Sequence, residues 1–249
     1  MNAVVQPRSA AQLTEFNRSF YDTLWSQSRL IAPERFNTWP LVQQLAVPSR
    51  RWLEIAPGMR PRLPLDDTLF VDLSRAAIAT LQAHQARAVL GLATALPCAD
   101  AAFDFVCAFD IVEHVDDDRR ALAELARVAA PGAALLLSVP LHPQRWHAFD
   151  DFVGHRRRYA PAALQSLLAE FGFVIEQSAV YGMQPKSNWL LDLGTWFLTH
   201  QRDRAMWWYN RVLPLGVRFQ SKLELVAGMI DTAGVDEILL VCRKQAAGT

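Results

Sequence analysis

Cysteine is scarce: Cys98, Cys107 and Cys242 are the 3 present in 249 residues. They are odd in number and unpatterned, which argues against a disulfide scaffold and fits a reducing compartment; the expected location is cytoplasmic. Net charge is absent too. Lysine plus arginine and aspartate plus glutamate number 25 each, so no basic field favours nucleic acid as a partner. No uninterrupted apolar run reaches the roughly 18 residues that a membrane-spanning helix needs. Met1–Arg8 lacks a basic stretch followed by an apolar core, so no secretory signal is expected there. What is present is a chain 51% hydrophobic, long enough to bury a substantial core as one large domain or a domain plus a subdomain.

Residues 9–46 read as helical in two pieces, with Ser9 suited to cap the first and Pro33 to open the second. Phe16, Phe20, Tyr21 and Trp25 recur at helical spacing, as a face that packs on the body would. From residue 51 strands and helices alternate. The strand candidates are 51–56, 68–72, 87–91, 103–109, 133–139, 173–180 and 236–243. Between them, Ser74 can cap a helix to about His84, the acids Asp116, Asp117 and Asp118 favour a helix start by complementing its dipole, and Pro161 opens a helix that Gly172 ends. This alternation predicts an α/β fold with a mostly parallel sheet covered on both faces.

Two segments break the alternation. The first connection holds Pro57, Pro61 and Pro64, a density that forbids a regular helix and predicts an extended or single-turn crossover. The stretch 181–235, between the last two strands, is far longer than a hairpin needs and carries Trp189, Trp196, Phe197, Trp207, Trp208, Tyr209 and Phe219. It reads as a cap of two or three helices. The expected division is therefore a helical lid at 1–50, a core at 51–180 plus 236–249, and a cap at 181–235.

The most informative residues open the core. Trp52-Leu53-Glu54-Ile55-Ala56-Pro57-Gly58 sets a strand, a carboxylate and a glycine turn ahead of a second strand, Thr68-Leu69-Phe70-Val71-Asp72. Ligands of open α/β sheets bind at the carboxyl ends of such strands, and a terminal carboxylate suits a ribose diol. A nicotinamide dehydrogenase would need G-x-G-x-x-G opening a helix; Ala56-Pro57-Gly58-Met59-Arg60-Pro61 fails at the first and last glycine.

Together with Phe70-Val71-Asp72-Leu73-Ser74, Ala95-Leu96-Pro97, Ala102-Phe103-Asp104-Phe105-Val106, Phe109-Asp110-Ile111-Val112-Glu113-His114-Val115, Leu125-Ala126-Arg127-Val128, Pro131-Gly132 and Leu135-Leu136-Leu137-Ser138-Val139-Pro140, this start resembles a class I S-adenosylmethionine-dependent methyltransferase of the small-molecule, type 11-like kind. The resemblance covers more than half of the chain and rests on the order and spacing of the motifs. It implies a seven-stranded Rossmann-like sheet whose last strand is antiparallel, with the cap between strands six and seven. It implies S-adenosylmethionine as cofactor. Glu54, Ala56, Gly58 and Arg60 would lie beside its methionine part, Asp72 on the ribose hydroxyls, Leu73 and Ala93 on adenine, and Phe109, Asp110 and Ile111 near the sulfonium. Ala56 and Arg60 replace the family's first and third glycines, and Leu92 replaces a frequent aspartate, which leaves backbone near Ala93 or Asp100 to meet the adenine amino group. Arg60 or Arg62 can pair bidentately with the cofactor carboxylate.

For the acceptor, the loop after the fifth strand holds His142, His147 and His155, candidate bases because an imidazole titrates near neutrality. Their spacing matches no short metal motif, so no metal is expected. Arg157, in the run Arg156-Arg157-Arg158, reads as an anion clamp or a solvated face. The insert's tryptophans either form the cap's own core or line an apolar pocket; interfacial membrane contact is a variant of the second reading. Tyr21, Trp25, Arg157 and Trp189 are the candidate acceptor contacts. The function so read is methylation of a small, hydrophobic or lipid-like acceptor, at oxygen first and at carbon or nitrogen as the alternative, with a non-catalytic cofactor-binding protein as the rival.

Overall fold

The computed structural model describes residues 9–46, 51–182 and 188–246; the reading of Met1–Arg8, and the ends of the lid, cap and core ranges that fall at 47–50, 183–187 and 247–249, lie outside them. Helix α1 (Ala10–Ser26) begins at a reciprocal cap in which Ser9 Oγ accepts from Gln12 N while the Gln12 side chain accepts from Ser9 N. Pro33 opens only a three-residue 3-10 turn, Pro33–Arg35, because Phe36 is extended; the second helix, α2 (Trp39–Leu45), starts later with Pro40 in its first turn. Strand β1 (Trp52–Ile55) runs to β2 (Thr68–Asp72) with no helix between them, as the prolines require.

Next come α3 (Arg75–Ala83), capped by Ser74 Oγ, then β3 (Arg87–Leu90) and β4 (Phe103–Phe109). Helix α4 (Asp118–Val128) is capped by Asp117, and β5 (Ala129–Pro140) follows directly. That strand begins four residues before the sequence expectation because Ala129 pairs with Phe103 ahead of a register shift. Helices α5 (Ala148–Val153) and α6 (Pro161–Glu170) lead to β6 (Phe173–Tyr181). The insert forms α7 (Asn188–His200), α8 (Arg202–Arg218) and a two-residue strand, β7 (Val226–Ala227), before β8 (Glu237–Lys244).

The strand order is β3-β2-β1-β4-β5-β8-β6-β7. β1 to β5 pair in parallel, and β8 is antiparallel to both β5 and β6. The seven expected strands are present with the last antiparallel. The eighth, β7, is an addition: an alternation pattern cannot register two residues, Val226 and Ala227, that pair with the outer edge of β6.

Side-chain alternation divides the core by sheet face. Val106, Ala108, Leu135, Leu137 and Leu240 pack on Leu122 and Leu125 of α4 and Leu164 and Leu168 of α6. Phe105, Cys107, Leu136, Leu239 and Val241 pack on Leu41 and Val42 of α2 and on Leu63 of the proline-rich connection. The face left bare by the missing crossover helix is thus covered from the N-terminus. Among the described residues no helix is long and apolar enough to cross a membrane.

A buried ion pair ties the loop after β5 to the entrance of β8. Asp150 is fully buried and accepts from His147 N (2.7 Å), His155 Nδ1 (2.7 Å) and Arg158 Nε (3.0 Å), and Arg158 Nη1 donates to Asp236 Oδ1 (2.9 Å). Burial alone would raise the Asp150 carboxyl, but the bonds from His155, His147 and Arg158 hold it below its ordinary value. An acid so depressed stabilises the fold above its unfolded pKa, and that contribution is lost as pH falls through the folded one. Asp150→Asn should cost about 3 kcal/mol, the lower end of breaking a buried pair because Asp236 still faces Arg158, and should flatten the acid limb of the stability profile; urea unfolding across pH measures both.

Candidate functional site

The carboxyl ends of β1 to β4 open into one cavity of about 700 Å³. Its floor carries Glu54 and Ala56 at the end of β1, Asp72 and Leu73 at the end of β2, Gly91, Leu92 and Ala93 after β3, and Phe109, Asp110 and Ile111 at the end of β4. Its roof comes from elsewhere in the chain: Leu13, Asn17, Tyr21 and Trp25 of α1, Leu190, Leu191 and Leu198 of α7, and Tyr209 and Leu213 of α8.

Two buried carboxylates organise the β1–β2 side. Both Glu54 oxygens accept from Arg62 N at 2.9 Å, and Oε2 also accepts from Leu63 N at 2.8 Å. Burial pushes Glu54 up to about 7, against the lowering effect of those N–H groups. Asp72 Oδ2 accepts from Gly58 N (3.0 Å) and Oδ1 from Ser74 N (2.8 Å), while burial raises Asp72 to about 6. Each Asp72 oxygen retains a lone pair for a further donor.

The turn between these acids is shaped to its neighbours. Gly58 has a φ of +53°, and a Cβ there would stand 2.5 Å from ring carbons of Trp25. The glycine therefore admits the indole of α1 closely. Ala56, at the family's first-glycine position, keeps a left-handed φ of 55°, and Asp110 has 49°, a conformation that strains non-glycine residues and gathers at functional sites. Arg60 lies 5.6 Å over the Trp25 ring; Tyr209 first, with Asp110, Tyr181 and Tyr21, keeps its guanidinium above its ordinary pKa.

The far end of the cavity concentrates acids and imidazoles. Asp110 Oδ1 accepts from Ser138 Oγ at 2.6 Å. Burial, then the Asp110 charge and a hydrogen bond shared with it, raise Glu237 well above the carboxylate range. Arg62 donates to Tyr181 Oη at 3.0 Å and stacks 3.7 Å over Phe36. Glu113 is fully buried, and neither of its oxygens has a hydrogen-bond partner among the described residues. His155 Nε2 stands 4.0 Å from Glu113 Oε1 while its Nδ1 meets Asp150. The His114 and His155 rings meet edge to face with centroids 4.5 Å apart, and Tyr21 Oη lies 3.3 Å from His114 Nε2. Burial, then the nearby His155, lowers His114 well below its ordinary value.

The sequence-predicted residues separate on this geometry. Glu54, Ala56, Arg60, Asp72, Leu73, Ala93, Phe109, Asp110, Ile111, Tyr21, Trp25 and His155 border the cavity, whereas Gly58 lies beneath Trp25. His142, His147, Arg157 and Trp189 do not border it. His142 Nε2 is held on Thr232 O (2.8 Å), and His147 caps α5 through Phe149 N (3.2 Å). Arg157 donates to Val115 O (3.1 Å) and pairs with Asp118, so the three-arginine run, with Arg156 on Asp116 and Arg158 on Asp150, is engaged by the protein's own acids and carbonyls. Trp189 is 67% exposed, while its neighbours Leu190 and Leu191 border the cavity. Asp100 pairs with Arg127 (2.6 Å), away from the cavity, whereas Ala93 borders it. Sequence reasoning passed over Asn17, Glu113, Tyr209 and Glu237. Glu113 lay within a quoted motif, and its burial was the signal that a linear reading lacks.

The methyltransferase-domain family matches residues 17–178, well over half of the chain. Over 114 residues the chain is 32% identical to a protein of Mycolicibacterium smegmatis named probable S-adenosylmethionine-dependent methyltransferase, covering 43% of this chain and 44% of that one. Over 99 residues it is 34% identical to the O-methyltransferase resE of Aspergillus sclerotiorum, covering 37% and 38%. The chain's matches thus span less than half the length of these curated relatives. Among solved structures, phosphoethanolamine N-methyltransferase 2 of Haemonchus contortus, in complex with phosphomonomethylethanolamine and S-adenosylhomocysteine, superposes with a TM-score of 0.59 at 16% identity, covering 97% of this chain and 61% of that one, a likeness of fold. With a 3-2-1-4-5 parallel order, an antiparallel final strand and an acid closing each of the first two strands, the chain belongs to the S-adenosylmethionine-dependent methyltransferase family.

Proposed function

We propose that this protein moves a methyl group from S-adenosylmethionine to an oxygen of a small, apolar or lipid-like acceptor. One observation carries the reading: a single cavity joins the Asp72 end, with its free carboxylate lone pairs, to an end lined by His155 and roofed by leucines of α7. Its volume of about 700 Å³ lies in the upper part of the usual range for small-molecule sites, roughly 300–1,000 Å³, and suits two ligands better than one.

The cofactor fits the residues present. Asp72 would take both ribose hydroxyls, Leu73 and Ala93 would border adenine, Phe109, Asp110 and Ile111 would line the sulfonium, and Arg60 would face the carboxylate. When bound, the cofactor supplies an electrophilic methyl on a sulfonium. The chain's part is alignment of the acceptor in a dry site, which can supply much of the rate of an in-line displacement. Of the three histidines singled out in the sequence, His155 is the one able to take an acceptor proton, because Asp150 orients it and its Nε2 faces the cavity. Within this reading 1–50 acts as a lid, 51–180 with 236–249 as the core, and 181–235 as the acceptor cap. Trp189, Trp207 and Trp208, at 67%, 48% and 58% exposure, give the cap an outer apolar surface compatible with shallow contact on a lipid interface.

The pH dependence follows from Asp72. Its raised pKa means that the folded protein holds this proton more tightly than the unfolded chain, so its contribution to stability is present at low pH and is lost as pH rises from about 4 through about 6. Ribose binding needs the ionised acceptor, so S-adenosylhomocysteine affinity should rise through about pH 6 and level off above it. Calorimetry should show this rise in the parent and not in Asp72→Asn, and Asp72→Ala should weaken binding by about 1–3 kcal/mol.

Arg60→Ala should weaken the cofactor at least tenfold with little effect on S-adenosyl ligands lacking the carboxylate; equal loss for both would remove Arg60 from that role. Binding of neither S-adenosylmethionine nor S-adenosylhomocysteine by the parent would sink the enzyme reading in favour of a non-catalytic protein. Product analysis by mass spectrometry separates oxygen from nitrogen or carbon acceptors.

A further inference from the structure

We propose that Glu113, His114 and His155 form a binding site for one divalent transition-metal cation, open to the cavity. Each offers a ligand atom, and the three atoms lie within 4.8 Å of one another. Glu113 is fully buried, His114 is 5% exposed and the His155 side chain 6%. A carboxyl group whose two oxygens have no partner in such a place either keeps its proton or meets a cation. Asp110 and Asp150 nearby add negative charge, and the countercharge of Arg158 is already committed to Asp150 and Asp236.

The donor chemistry narrows the ligand. Two imidazoles and one carboxylate suit Zn²⁺ and its neighbours better than Mg²⁺ or Ca²⁺, which prefer oxygen. Three protein ligands with a remaining open position are the composition of reactive rather than structural zinc sites. His155 Nδ1 meets the Asp150 carboxylate at 2.7 Å, so Nδ1 carries the proton and Nε2 keeps its lone pair for a ligand. That carboxylate–histidine arrangement is what orients imidazoles on metals. Ligands on a tetrahedral ion about 2.1 Å away stand about 3.4 Å apart, so the 4.0 Å between His155 Nε2 and Glu113 Oε1 must shorten modestly on binding.

Resting on the methyl-transfer reading, the cation's open position would hold the acceptor's oxygen and favour its deprotonated form. In the cation-loaded protein His155 Nε2 would be a ligand, so the acceptor's proton would leave to solvent before transfer instead of passing to His155 as in the metal-free reading above, and the acceptor would belong to the hydroxyl or enol class rather than the amines.

The test uses the full chain, stripped with chelator and dialysed. It is titrated with ZnCl₂ alone by calorimetry and with CoCl₂ alone by visible absorption, and each variant is also titrated with S-adenosylhomocysteine. One Zn²⁺ per chain is expected, with a Co²⁺ ligand-field spectrum of nitrogen–oxygen coordination. Glu113→Gln and His155→Ala should each weaken Zn²⁺ at least tenfold while S-adenosylhomocysteine affinity stays within a factor of three, and His200→Ala, on the exposed face of α7, should leave Zn²⁺ unchanged. A parent that binds S-adenosylhomocysteine but no Zn²⁺ overturns the site and spares the function. A parent that binds Zn²⁺ but no S-adenosylhomocysteine does the reverse. Zn²⁺ held equally by both site variants overturns the assignment, and should a variant fail to fold, the Co²⁺ spectrum of the parent decides, since coordination without nitrogen donors rejects it.

Discussion

The carboxylate of Glu54 takes the place of a missing helix. In most sheets of this order a helix crosses from β1 to β2; here three prolines forbid it, and a buried acid receives the N–H groups of Arg62 and Leu63 instead. That anchorage decides where the rest of the connection goes. Leu63 is pressed into the sheet, Arg62 onto Phe36 and Tyr181, Arg60 toward the cavity, and Gly58 under Trp25. A residue of another kind at position 54 would leave two buried donors unmet and release all four placements together.

Losing one helix also explains the N-terminal segment. A bare sheet face is filled by Leu41 and Val42 of α2, and the vacated rim of the cavity is roofed by α1. The roof touches both ends of the site at once. Trp25 stacks with Tyr21 and sits on Gly58; Tyr21 reaches His114, Asn17 Nδ2 donates to His114 O at 3.0 Å, and Asp22 receives Ser74 Oγ at 2.6 Å. One helix is thereby in contact with the Gly58 turn, whose N–H donates to Asp72, and with His114 beside Glu113 and His155, so a displacement of α1 would alter both ends of the cavity.

Much of the core was legible in the sequence. The strands 68–72, 103–109 and 236–243, the cap at Ser74, the acid-rich start of α4 and the absence of a first crossover helix depend on local periodicity, capping chemistry, dipole charge and proline geometry, all of which a linear reading sees. The eighth strand was not legible, because Val226 and Ala227 acquire their conformation only by pairing with β6. The histidines show the same limit. His142, His147 and His155 look equivalent in one loop, yet one holds a carbonyl, one caps a helix and one faces the cavity. The family motif placed Asp72 and Asp110 at the cavity floor; it said nothing of α1, α7 and α8 above it.

The sequence by itself determined the fold class, the family and the pair of acids near the ends of β1 and β2, since each is written in neighbouring residues whose conformations reinforce one another. Tertiary structure alone decided which polar groups meet. Glu113 and His155 are separated by α4, β5 and α5, and their approach to 4.0 Å arises from long-range packing that no local pattern encodes. For the same reason the acid that opens this site, Glu54, is read in the sequence as a cofactor contact and found in the fold as the anchor of a chain turn.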